Sequence, residues 1–211
     1  MSALNPSSEL VGLAQLTAVL RNSARLPGLL VYVAGELGDN AAAEARPCGS
    51  GPVVGVGAEL LDDDHSPALV GSVAHEIAHH ALGHLTGWLV PTLDWLYIWT
   101  CVAGIMSAFL PVPGWLAPAL LSLALAARLC AAWRRRAAEF AADRHAVALL
   151  DSLDMPGPQI VTAMLIRDLA VEPLWYAMVG WLAGTHPPAH ARLRRLADAP
   201  SFTLHGLEAT S

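Results

Sequence analysis

The apolar positions of this 211-residue chain change period several times, and each change predicts an element. Leu10, Leu13, Ala14, Leu16 and Leu20 recur near helical spacing. With Ser7 or Ser8 as N-cap and Arg21 and Arg25 at the far end, they predict a core-facing helix over 7–25. Residues 29–33 and 52–56 are short β-rich runs, which predict a small sheet. Between them, residues 39–43 with Pro47 and Gly49 read as a polar connection, and the edge of such a sheet can take up an extended peptide. Ser66 and Pro67 mark a helix start, and the acids Asp62, Asp63 and Asp64 before it read as complements to its positive end rather than as a metal site. That helix is predicted over 67–84, with Leu69, Val73 and Ile77 facing the core.

Residues 88–133 break the amphipathic pattern. They are apolar throughout, with Asp94 and Arg128 as the sole charges, and divide at the turn 111–114 into 88–110 and 115–133. Each stretch is long enough for a hydrocarbon core of about 30 Å. Tryptophans cluster toward the ends, and Arg134, Arg135 and Arg136 follow at once, which predicts that this end stays in the cytoplasm. Asp94 and Arg128 lie toward the same side, where snorkelling or mutual pairing satisfies them. Beyond the arginines the helix is expected to continue until 155–158 breaks it. A core helix over 159–170 follows, then an apolar run at 174–182 too short to span. A short helix at 189–197 comes next, with Arg192, Arg194 and Arg195 set to meet acidic lipid. Residues 198–211 carry no pattern and are expected to be disordered.

Composition supports the membrane reading: 55% of residues are hydrophobic and 14% charged, against a usual charged share of about 25%. All twelve basic residues are arginine, an imprint of codon composition, and no basic patch suggests nucleic acid. Cys48, Cys101 and Cys130 are too few and scattered for a disulfide framework. The start of the chain lacks the form of a signal peptide, so the N-terminal part is expected in the cytoplasm.

The chemistry centres on His75-Glu76-Ile77-Ala78-His79. Histidines four apart on a helix share a face and can reach one metal ion, while Glu76 is placed as a base; this is the zinc hydrolase signature. His80 points about 100° away from His79 and reads as supporting or exposed. Leu82 and Leu85 stand where a third ligand on the same helix would need glycine and histidine, so that ligand comes from elsewhere. Glu139 and Asp143, four apart in Glu139-Phe140-Ala141-Ala142-Asp143, supply a carboxylate ligand and a hydrogen-bond acceptor for a ligand histidine. If the second apolar stretch continues as helix, Glu139 stands about 9 Å and His79 about 13 Å above the same interface, at 1.5 Å per residue.

These pieces, with His84 beyond the first and Thr185-His186-Pro187-Pro188 near the end, resemble the membrane gluzincin family that includes the heat-shock protease HtpX and the CAAX prenyl protease. Asn40-Ala41 resembles the family's upstream segment, and the likeness covers roughly residues 28–197. It implies one Zn2+ per chain bound by His75, His79 and Glu139. Glu76 is then the catalytic base, Asp143 stands behind the ligands, and His186 is the second catalytic residue, beside the substrate.

The expected fold is mainly α with a small β-sheet, a zincin-like metallopeptidase domain with an inserted two-helix transmembrane hairpin. Residues 1–87 and 134–197 form the peptidase domain, 88–133 the hairpin and 198–211 the tail. The expected activity is zinc-dependent endopeptidase cleavage of membrane or membrane-proximal proteins at the cytoplasmic face of the inner membrane. The chain is read as multi-pass; its partners are a protein or peptide substrate and the bilayer, with homo- or hetero-oligomers left open. His145 is an alternative to His186 for stabilising the oxyanion. Two alternatives stand beside this reading. One is a membrane signalling or interaction protein with a structural zinc closed by His80, His145 or Asp143. The other is a BlaR-type sensor peptidase with one dedicated partner.

Overall fold

The computed structural model describes residues 6–44, 51–61, 66–173, 175–176 and 186–198, with backbone alone for 6–10. The sequence expectations at 45–50 (Pro47, Cys48 and Gly49), 62–65, 174, 177–185 and 199–211 lie outside the described residues. The fold is mainly helical with a small mixed sheet. In chain order it runs α1 (Pro6–Ser23), β1 (Leu30–Ala34), a 3-10 turn (Gly35–Leu37), β2 (Ala41–Glu44), β3 (Val53–Gly57) and α2 (Ala58–Leu61). Then come α3 (Pro67–Ala81), α4 (Leu89–Ser107), α5 (Leu116–Asp151), α6 (Gly157–Val171) and α7 (Ala189–Ala197). The chain falls into two compact units, and α5 contributes to both, the boundary lying between Glu139 and Phe140.

The first unit takes in residues up to Leu85, 140–172 and the chain from Pro188. Its sheet has the order β1-β3-β2, with β1 parallel and β2 antiparallel to β3. The polar connection expected between the two β-rich runs therefore contains a third strand. Ala41-Ala42-Ala43-Glu44 has no β-branched residue to announce it, and what makes it a strand is the ladder offered by β3.

α3 starts where the sequence predicts. Ser66 caps it, accepting the Leu69 N–H at 3.1 Å, and Pro67 occupies the first turn. Leu69, Val73 and Ile77 are buried together with Val54, Val56, Ala142, Ala146, Leu150, Val161 and Leu165. Its end differs from expectation, at Ala81 rather than 84. Gly83 takes φ +67°, and the N–H groups of Gly83 and His84 bond back to the carbonyls of His80 and His79 at 3.1 and 3.0 Å. A left-handed residue with this pair of return bonds terminates a helix.

α3 packs against α6 at Gly71. A Cβ there would stand 2.9 Å from the Ile160 carbonyl oxygen and 2.9 Å from the Met164 Cβ. Gly71→Ala is therefore expected to lower stability by about 1–3 kcal/mol, the usual range for overpacking a core. A thermal melting midpoint unchanged from wild type would contradict this packing.

The second unit holds α4 and the first part of α5. Small residues face inward: Thr100, Gly104 and Ser107 on α4 are buried, as are Ala124, Ala127 and Ala131 on α5. Leu121 comes so close to Gly104 that an added Cβ would meet it at 3.0 Å. Large apolar side chains face outward, among them Trp95, Trp99, Ile105, Phe109, Trp115, Leu125 and Trp133. This inverts the pattern of a helix pair in water and matches close packing through small residues. α4 and α5 are each long and apolar enough to cross a membrane, with 11% and 22% of their most apolar windows buried. Asp94 pairs with Arg135, and with Arg128 at 3.9 Å, so the two charges within the apolar stretches meet each other.

Candidate metal centre

α3 presents His75 and His79 one turn apart, and both are buried, with 4% and 8% of their surface exposed. Their Nε2 atoms face each other at 3.1 Å. A tetrahedral ion with metal–nitrogen bonds of about 2.0 Å needs its ligand atoms about 3.3 Å apart, so the two rings already stand at ligand spacing. Glu139 lies on the unbroken α5, one turn before Ala142 and two before Ala146, both anchored in the core. Each of His75, His79 and Glu139 offers a ligand atom, and these atoms lie within 4.8 Å of one another. Two imidazoles and a carboxylate are a donor set that suits a divalent metal such as zinc, and all three are buried.

Support behind the histidines fixes their protons. His75 Nδ1 lies 3.0 Å from Asp143 Oδ1. Asp143 is buried, which alone would push its carboxyl up. The Arg192 hydrogen bonds, then that of His75, outweigh burial and hold it below the ordinary carboxylate range. Arg192 grips Asp143 with both arms, Nε to Oδ2 at 2.9 Å and Nη2 to Oδ1 at 2.5 Å. An ionised Asp143 can only accept, so His75 carries its proton on Nδ1 and its Nε2 lone pair points toward His79. Asp168, 3.7 Å from the other Arg192 nitrogen, is shifted the opposite way: burial raises it more than Arg192 lowers it.

The left-handed cap at Gly83 folds His84 back onto α3. Its Nδ1 stands 3.0 Å from His79 Nδ1, so one ring donates a hydrogen bond to the other. Glu76 is half-buried, and its Oε2 accepts the Ala43 N–H at 2.7 Å, so β2 holds the carboxylate. His186 Nδ1 lies 2.8 Å from Glu139 Oε1 while its side chain is 58% exposed, which puts it on the solvent side of that carboxylate.

The structure brings His75, His79, Glu139, Asp143 and His186 together. Among the described residues it is His186, not His145, that bonds Glu139. His80 serves elsewhere: its Nε2 meets the Val53 carbonyl at 2.7 Å and ties α3 to the sheet. With Asp143 engaged by Arg192 and His75, neither it nor His80 is placed as a fourth ligand.

Arg192 corrects an expectation. Predicted to meet acidic lipid, it is buried, at 6% exposure, on Asp143. The signal was present in the chain, because Ala189, Arg192 and Leu196 form the buried stripe of α7 and an arginine on such a stripe needs a partner. β2 was the other missed contributor, and His84, quoted only as part of the resemblance, had been given no role.

A family model described as Peptidase family M48 matches residues 15–199. The crystal structure of S. mikatae Ste24p aligns with a TM-score of 0.49 at 16% sequence identity, over 88% of this chain and 56% of that one. The chain thus spans little more than half the length of that protein. No curated protein matches it.

Proposed function

This chain belongs to peptidase family M48, and from that premise we propose that it is a zinc-dependent endopeptidase of the membrane, cleaving membrane or membrane-proximal proteins at the cytoplasmic face. The observation that carries the proposal is the buried His75, His79 and Glu139 set, with Asp143 behind it and Glu76 on the intervening turn. The ligands, Glu76 as base and His186 as the second catalytic residue belong to the same proposal, as does a zincin-like peptidase domain of residues 1–87 and 134–197.

Zinc bound there supplies Lewis acidity, polarising the scissile carbonyl and bringing the pKa of a water toward about 7. Glu76 uses one carboxylate oxygen, Oε2, to hold the Ala43 amide. Its Oε1 takes the proton of the attacking water and passes it to the departing amine nitrogen. His186, held by Glu139 at the solvent side, donates to the substrate oxygen as charge develops. β2 is an edge strand beside this carboxylate, so an extended substrate lies along it.

The outward apolar face of α4 and of α5 up to Trp133 supports a transmembrane hairpin over 88–133, and Arg134–Arg136 support a cytoplasmic site. Chelation tests the metal requirement. A metal chelator is expected to abolish casein cleavage by the detergent-purified chain, and added zinc to restore it. His79→Ala is expected to lose both metal and activity. Full cleavage in the presence of chelator would refute the proposal.

A further inference from the structure

His186 reaches Glu139 through its ring, with Nδ1 2.8 Å from Oε1, and its side chain is more than half exposed. An imidazole held at the ring alone still pivots with its backbone. A histidine that donates to a substrate oxygen therefore needs its main chain fixed as well. The chain on its C-terminal side is already rigid. Pro187 and Pro188 are buried, their rings fix φ, and the residue before a proline is confined to extended conformations. Glu172 then caps α7: both of its carboxylate oxygens stand 3.3 Å from the Ala189 nitrogen, at the positive end of that helix. One freedom is left, the rotation about the Cα–C bond of His186 within that extended range.

Tyr176 removes it. Its hydroxyl donates to the His186 carbonyl at 2.7 Å. That oxygen belongs to the planar peptide group joining His186 to Pro187, so holding it sets the plane of the whole group. It thereby sets the direction in which the His186 side chain leaves the backbone. The Tyr176 ring is itself steadied by Trp175, which meets it edge-on with centroids 5.6 Å apart at 79°. Neither Tyr176 nor His186 belongs to the buried core, so the bond is not needed to hold the packing together.

We propose that Tyr176 is a positioning residue for His186: through the His186 carbonyl it aims the imidazole at the point where the substrate oxygen gathers charge. This role rests on the one proposed above for His186, and Tyr176 itself touches no reacting atom. A direct substrate contact would keep its effect when His186 is removed. A purely structural role would show as lost stability.

The first test is a double-mutant cycle on casein cleavage by the full chain in detergent, with Tyr176→Phe, His186→Ala and the pair. Tyr176→Phe is expected to lower kcat about five- to tenfold, the worth of one hydrogen bond, with KM within about twofold of wild type. Zinc content and melting midpoint are expected to stay unchanged. In the His186→Ala background the same change is expected to cost less than about twofold. Para-aminophenylalanine at position 176 restores a donor and is expected to return most of the loss. Should Tyr176→Phe fail to fold, para-fluorophenylalanine, which fills nearly the same space and has no proton to give, takes its place.

The second test needs no activity. The backbone amide of His186 is followed by nitrogen relaxation in full chain carrying isotope-labelled histidine, its signal assigned by its absence from His186→Ala. Its order parameter is expected near about 0.85 in wild type and below about 0.6 in Tyr176→Phe. A wild type that cleaves nothing would count against the peptidase reading, and the relaxation measurement would then decide whether Tyr176 holds His186. Four results would overturn the inference. They are wild-type kcat in Tyr176→Phe beside an impaired His186→Ala, an equal loss on both sides of the cycle, an order parameter that Tyr176→Phe leaves unchanged, or full cleavage by His186→Ala, which would leave Tyr176 nothing to position.

Discussion

Replacing Glu76 with glutamine is expected to stop peptide cleavage while leaving metal content and fold in place. Glutamine has nearly the same shape, and its amide oxygen can still accept the Ala43 N–H that Oε2 accepts now at 2.7 Å. What it cannot do is take a proton from water. General acid–base catalysis by one positioned group contributes about 10²–10⁴-fold, and here one residue is asked to act twice, first as base and then as acid. Casein hydrolysis should therefore fall by at least about 10²-fold with zinc content and melting midpoint unchanged. Activity within a few-fold of wild type would remove Glu76 from the mechanism.

Arg192→Ala is expected to be the most destabilising single change near the site. Both arms of the guanidinium hold Asp143, and the two side chains are 7% and 4% exposed. Removing one partner of such a pair strands the other as a buried charge, which costs about 3–5 kcal/mol. That is a large part of the usual 5–15 kcal/mol of folding stability. The loss should also reach the metal, because Asp143 fixes the tautomer of His75, and disturbing such support lowers metal affinity by about 10–100-fold. Arg192→Lys keeps the charge but not the fork and should fall between. The informative control is Arg192→Met with Asp143→Leu, which removes both charges and should fold better than Arg192→Ala alone while still binding metal poorly. A melting midpoint for Arg192→Ala equal to wild type would contradict the pairing described here.

Local rules carried much of this structure in the sequence. The start of α3 follows from Ser66 and Pro67. The pitch of His75 and His79, and of Glu139 and Asp143, follows from the helical repeat alone. The apolar block resolved into two helices because no charge but Asp94 and Arg128 interrupts it. The motif resemblance pointed to the family that the match over residues 15–199 shows.

What stayed illegible depends on contacts distant in sequence. β2 has the composition of a helix or a loop and becomes a strand only because β3 is there to pair with it. Arg192 lies 49 residues from Asp143, and in sequence it stands with Arg194 and Arg195 as one of three similar charges. Only the stripe of Ala189 and Leu196 distinguishes it, and that stripe acquires meaning once α7 has something to pack on. Asp94 is similar: the expected pair with Arg128 forms, at 3.9 Å, and the geometry of the helix pair adds the closer Arg135, seven residues further on.

X-ray absorption at the zinc edge, on the full chain purified in detergent, reads the ligand set of the proposed metal centre. Two imidazole nitrogens and one carboxylate are expected at about 2.0–2.2 Å, with the fourth position left to solvent. One imidazole should be lost in His79→Ala. A shell closed by four protein ligands, a sulfur ligand, or a chain that retains no zinc would contradict it.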